Sequence, residues 1–337
     1  MGLLSLFKTQ RSRPKIFQKV SHELLSELAE NNAWLSDYLE HQDKIARINW
    51  QGVFTYLEQS AVDKKHLITH QELTLLWLNQ LRSQLSQQFF IYQSDHFIIL
   101  SNGDDKFLNK LFKMTEAIYR RIKSALADIL DPKFDAAENF KHPIFVTSDI
   151  DLYYDYVSYF YPEDGEFQQS SGVFLRYGIN HFVVPESEFE QLEAVVAHEL
   201  THAMLSHLSL PVWVDEGLAV NTETMITRQA NYRLNPQKNS RHNDFWNEKT
   251  IQEFWSGEGF QKPGETSELC YHLAQIIVAS MAEEHPSFVE FVRNAKYPDS
   301  GEAAAYKVFG GSLGAIIEQF FGPGDWSPKP DQWSANQ

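Results

Sequence analysis

Apolar residues recur every three or four positions in KIFQKVSHELLSELAE (15–30), WQGVFTYLEQSA (50–61) and ELTLLWLNQLRSQLSQ (72–87), and this spacing predicts helices across residues 15–87. The pattern then shortens. QFFIYQ (88–93) and HFIILS (96–101) are Phe- and Ile-rich runs parted by Ser94-Asp95, which predicts a β-hairpin. A helix is expected from Lys106 to Leu130, stopped by Asp131-Pro132, and HPIFVTS (142–148) is a third strand. SGVFLRYGINHFVVP (171–185) divides into two strands around Gly178-Ile179-Asn180. Two helices follow, from Glu188 to Ser206 and from Pro211 to Met225. The polar stretch Asn231–Asn243, which contains Pro236 and no apolar period, is expected as a loop. SELCYHLAQIIVASMAEE (267–284) is a strongly apolar helix, and PSFVEFVRNA, GEAAAYKVF and SLGAIIEQFF are short helices that close the chain. Helices, then a small sheet, then helices predict an α+β protein. The expected division is a helical N-terminal extension (1–87), a central subdomain (88–230) and a helical C-terminal subdomain (231–337) that completes a cleft.

Charge narrows the function. The chain of 337 residues carries 29 Lys and Arg against 45 Asp and Glu, a formal net charge of −16, which argues against nucleic acid as a partner because phosphate binding needs a basic surface. Its single cysteine, Cys270, excludes an internal disulfide and fits a reducing compartment. No apolar run reaches the ~18 residues of a membrane span, so no integral membrane association is expected. The basic start, MGLLSLFKTQRSRPKIFQKV, has its short apolar run before its charges, the reverse of a signal peptide, and Leu6 breaks the myristoylation pattern. A cytoplasmic protein is expected.

The chemistry concentrates in AHELTHAMLSHLSLPVWVDEGLA (197–219). On a helix His198 and His202 lie about 40° apart on one face, one turn apart, so two imidazoles can reach one ion. Glu199 sits on the flank of that face, too far round to be a third ligand but placed to touch a water on the ion. Two ligands and one general base are the mechanical content of His-Glu-x-x-His. Chance gives this pattern in roughly a few per cent of similar chains, usually in polar sequence. Here Ala194, Val195, Leu200, Ala203 and Met204 make the surrounding helix apolar, and inward histidines are costly there unless something satisfies them. His207, nine residues beyond His198, falls about 180° away and reads as a surface or helix-end residue. A catalytic zinc needs a third protein ligand, and the next helix offers Asp215 and Glu216. Neighbouring helical residues diverge by about 100°, so only one of them faces the ion, and spacing does not choose between them. Two imidazoles and a carboxylate suit Zn2+ best.

HELTH followed by WVDEGLA resembles the gluzincin metallopeptidases, and the short step from His202 to Glu216 is closest to their peptidase MA-like (minigluzincin-like) branch. The resemblance spans about residues 88–285. It implies a zincin-like fold, with a small mixed sheet beside the His-bearing helix. It also implies that Glu216 is the third zinc ligand, leaves Asp215 without a role, and points to Tyr271 or His272 of LCYHLAQ, Tyr271 first, as the group that stabilises the oxyanion. By the same resemblance a peptide or protein substrate pairs with an edge strand, for which GVFLR (172–176) is the candidate. The implied reaction is hydrolysis of a peptide bond by zinc-activated water, with Glu199 as general base. The alternative is a zinc-binding regulatory protein that keeps the fold without efficient hydrolysis. No Lys or Arg falls between Arg176 and Arg228, whereas Glu186, Glu188, Glu190, Glu193, Glu199, Asp215, Glu216 and Glu223 do. If several line the cleft, cationic substrates are favoured.

Overall fold

In the computed structural model the described residues are 16–40, 47–62, 68–85, 88–130, 141–160, 172–186, 189–228 and 236–333. Residues 1–15 of the basic N-terminal stretch, the Asp131-Pro132 stop, Glu188 and residues 231–235 of the expected loop lie outside them. The architecture is mixed α and β, mostly helical.

The strands are β1 (Gln18–Lys19), β2 (Leu39–Glu40), β3 (Arg47–Ile48), β4 (Phe90–Gln93), β5 (Phe97–Ser101), β6 (His142–Thr147), β7 (Val173–Leu175) and β8 (His181–Pro185). β2 and β3 pair only with each other, and the rest form a six-stranded sheet in the order β1-β4-β5-β6-β8-β7. Its centre is parallel, β5 with β6 and β6 with β8, and both flanks are antiparallel. The sheet is therefore mixed, with β7 on one edge.

Both faces of this sheet are covered, which is why its central strands carry apolar residues on both faces through their middles instead of alternating with polar ones. Phe97, Ile99, Ile144, Val146, Phe182 and Val184 point into one core. Ile98, Leu100, Phe145 and Val183 point into the other. Helices α1 (His22–Asn31), α2 (Trp50–Val62), α3 (His70–Gln84) and α5 (Ile150–Val157) supply the second core. The first core takes α4 (Asp105–Ala125), α6 (Phe189–Leu205) and α7 (Val212–Thr227). It continues into α8 (Pro236–Phe245), α9 (Thr250–Ser256), α10 (Glu258–Gln261), α11 (Glu265–Ala282), α12 (His285–Asn294), α13 (Glu302–Phe309) and α14 (Leu313–Phe321).

Two expectations are corrected. Residues 16–20 are not helical: Gln18 and Lys19 pair with Gln93 and Tyr92, and the helix begins after Ser21, whose Oγ accepts from the Leu24 amide. Phe17 and Val20 enter opposite cores, an arrangement that a strand permits and a single helical face does not. The expected loop Asn231–Asn243 carries part of a helix, α8. Its own sequence lacks an apolar face, so tertiary contacts hold it. His242 is buried, accepts at Nδ1 from Trp246 Nε1 (2.7 Å) and meets His272 Nδ1 through Nε2 (2.6 Å), while Arg241 ties it to Glu265 and Glu268 of α11. Helix α5 had no expected counterpart. It starts at Asp149, whose carboxylate accepts from the amides of Asp151 and Leu152, and it buries Tyr153, Tyr156 and Val157.

Candidate metal centre

The reversal between α6 and α7 sets the site. After α6 the chain makes a 3-10 turn over Ser206–Leu208, passes through a left-handed Ser209 (φ 50°) and enters α7 after Pro211. Pro211 suits the last position before a helix because it has no amide hydrogen to satisfy. Trp213 then anchors α7. It is fully buried, donates through Nε1 to the Ser300 carbonyl at 3.0 Å and packs on Phe254, Trp255 and Phe291. Gly217 lets α11 come close, since a Cβ there would stand 2.7 Å from the Ala274 carbonyl oxygen. A helical glycine costs about 1 kcal/mol relative to alanine, and here the close approach requires it. These contacts fix the rotation of α7 about its own axis, and so decide which carboxylate turns towards α6.

Glu216 is the one that does. His198 Nε2, His202 Nε2 and Glu216 Oε2 form a triangle with sides of 3.1, 3.3 and 3.4 Å. Ligand atoms about 2.0–2.1 Å from a zinc ion, at three corners of a tetrahedron, stand about 3.3–3.4 Å apart, so the triangle fits such an ion and leaves the fourth corner open. Without a cation the arrangement is poorly satisfied. Two ring nitrogens that face each other can share one proton at most, and Glu216 Oε2 is buried with no hydrogen bond. The donor set and the unsatisfied oxygen both fit a divalent metal.

The outer nitrogen of each histidine faces a carboxylate. His198 Nδ1 lies 3.3 Å from Glu223 Oε2, and His202 Nδ1 lies 3.1 Å from Asp215 Oδ2. A carboxylate at Nδ1 favours the tautomer with the proton there, which aims the Nε2 lone pair into the triangle. Asp215 thus gains a role that its position in the sequence did not reveal. Glu223 stood in the sequence only as one of many acids, yet it is seven residues after Glu216, about 20° from it on the helix and therefore on the same face. That spacing was the available signal. In the metal-free chain burial pulls the His198 imidazole down, but Glu216 and Glu223 outweigh it and push the pKa up to about 9. Burial likewise opposes the charge on His202, and Asp215 and Glu216 raise it well above its ordinary value. Burial also works against the charge on Glu216, but His202 and His198 outweigh it and hold its carboxyl far below the usual range. A metal that binds here competes with protons for the ring nitrogens.

The triangle opens into a cavity of about 690 Å³. Glu199 is on its wall, where burial pushes the carboxyl above the ordinary carboxylate range against the pull of His198 and His202. Residues 172–176, which include the edge strand β7, form another wall. Tyr271 also lines the cavity, with its ring centre 6.5 Å from that of His198. His272 is turned away and buried against His242. His207 sits in the 3-10 turn and is not part of the cavity lining. Among the described residues, Glu199, Asp215 and Glu216 of the acids in the Arg-free stretch reach the cavity. Cys270 is buried, and burial pushes its thiol up to about 12, which makes it a poor nucleophile. Arg176, expected only as the end of the candidate edge strand, joins Tyr177, Gln261 and Tyr297, which no sequence pattern singled out, in the polar lining.

No protein-family model matches the chain, and no curated protein matches it in sequence. Among the described residues no helix is long and apolar enough to cross a membrane.

Proposed function

We propose that this chain is a zinc-dependent peptidase of the gluzincin type on a zincin-like fold, with His198, His202 and Glu216 as ligands and Glu199 as general base. One observation carries the proposal: the His-His-Glu triangle has the dimensions of three corners of a zinc tetrahedron, and a half-buried carboxylate, Glu199, stands in the same cavity. A zinc ion held there supplies the Lewis acidity that polarises a carbonyl and acidifies a water. The protein's own groups do the rest. Glu199, with its pKa raised by burial, accepts the proton of the attacking water and returns it to the leaving amine. Tyr271 offers a hydroxyl to the oxyanion. The edge strand β7 would give an extended peptide main-chain partners beside the ligands. Asp215 and Glu223 hold the two imidazoles in orientation. A cytoplasmic setting accords with the single buried thiol.

The test is metal content and peptidase activity of wild type against Glu199→Gln. Loss of a general base costs about 10²–10⁴-fold in rate. Metal retained in both proteins with activity lost in the variant is the expected result. Metal retained with neither protein active on a peptide library overturns the peptidase assignment and leaves a metal-binding regulator.

A further inference from the structure

The cavity is less acidic towards a substrate than its sequence suggests. Its charged lining is His198, Glu199, His202, Asp215, Glu216 and Arg176. Glu216 belongs to the triangle. Asp215 is held between His202 Nδ1 at 3.1 Å and Arg176 Nη2 at 2.6 Å. Two of the three acids are thus occupied, and Glu199 is the general base. Arg176 is the reverse case. Its side chain is 51% exposed, and among the described residues its guanidinium makes one hydrogen bond, to Asp215. A guanidinium carries five N–H donors in a planar fork, so most of them stay open to the cavity it lines. Asp215 anchors one corner of that fork and the guanidinium carbon lies 5.8 Å from the Phe174 ring centre, so two contacts orient the group before any ligand arrives.

We propose that Arg176 reads a carboxylate on the substrate, close to the bond that is cut, so that the enzyme prefers peptides carrying a negative charge there over cationic ones. The inference rests on the peptidase assignment above and names its substrate class. The site has the chemistry for it: one fixed guanidinium, the sole Lys or Arg among the described lining residues, at the end of the edge strand on which an extended peptide would lie. Position narrows it further. The bridge through Asp215 keeps Arg176 Nη2 within about 8 Å of His202 Nε2, and two extended residues span about 7 Å, so the carboxylate falls within about two residues of the scissile bond. Both a terminal carboxylate and an Asp or Glu side chain satisfy this chemistry.

Binding separates the inference from the hydrolysis on which it rests. Zinc-loaded Glu199→Gln protein is titrated with three matched fluorescent peptides: a free C-terminal acid, its amide, and an amide with Glu within two residues of the centre. The expected result is about 10- to 100-fold tighter binding of at least one carboxylate peptide than of the plain amide, the range of a charge-assisted hydrogen bond. Whether the free acid or the internal Glu gains tells which source is read. Adding Arg176→Gln should bring the ratio to about one, and Arg176→Lys should recover part of it. A merely structural change would weaken all three peptides together and leave the ratio intact. Equal binding of the three peptides, binding of none, or a preference that survives Arg176→Gln overturns the proposal. A carboxylate preference in a protein whose wild type cleaves nothing would uphold the proposal for binding and remove the hydrolase assignment alone.

Discussion

Replacement of Glu223 by Gln offers a test of how the candidate metal centre is held, because Glu223 is not itself one of the three residues of the triangle. The side chain keeps its size and loses its charge. Its Oε2 faces His198 Nδ1 at 3.3 Å with both side chains largely buried, so water does not substitute easily for the lost partner. Outer-shell partners of this kind are worth about 10- to 100-fold in metal affinity, or about 1.4–2.8 kcal/mol. The separation is long for a charge-assisted bond, which places Glu223 at the lower end, near tenfold. A second effect opposes it at neutral pH. With His198 pushed up to about 9, a zinc ion would have to displace a proton from that ring at pH 7, and removing Glu223 lowers the pKa and so this cost. The sign follows: zinc binds the wild type more tightly as pH rises towards 9, and the penalty of Glu223→Gln is larger at pH 9 than at pH 7. Competition against a chromophoric chelator at the two pH values measures both. An unchanged zinc affinity at pH 9, in a variant that melts like wild type, would refute the idea that Glu223 orients His198.

Two further outcomes concern the frame around the site. Trp213→Ala removes a fully buried ring that ties α7 to the C-terminal helices and should cost about 3–5 kcal/mol in urea unfolding, with zinc affinity falling as α7 loosens; a loss below about 1 kcal/mol would contradict the anchoring role. Burial opposes the charge on Glu116, yet the His96 ring and backbone amide, at 2.8 and 3.0 Å, hold its carboxyl down at about 2. A lowered carboxylate pKa stabilises the fold above its ordinary value of 4.5, and that stability is lost as pH falls from there towards 2. Wild type should therefore exceed Glu116→Gln in stability at pH 6, with the gap closing between about pH 4.5 and 2, and a gap constant across that window in denaturant titrations would count against this account.

Local periodicity by itself determined most of the elements and the pairing of His198 with His202. Four residues of α-helix bring two side chains to one face whatever surrounds them, and the hairpin of β4 with β5 and the strands around Gly178 follow as directly from their apolar runs. Spacing along one helix says nothing about how a second helix is rotated against it. The choice of Glu216 over Asp215 in the triangle, the backing of His198 by Glu223, and the exposure of Tyr271 to the cavity with His272 turned away were decided by packing: Trp213 buried among aromatic rings, and Gly217 against the backbone of α11. Tertiary contacts likewise made a strand of Gln18-Lys19 and a helix of the polar stretch from Pro236, where local preference was weak. They also bound Arg176 to Asp215 across 39 residues of sequence, which no pattern of neighbours could reveal.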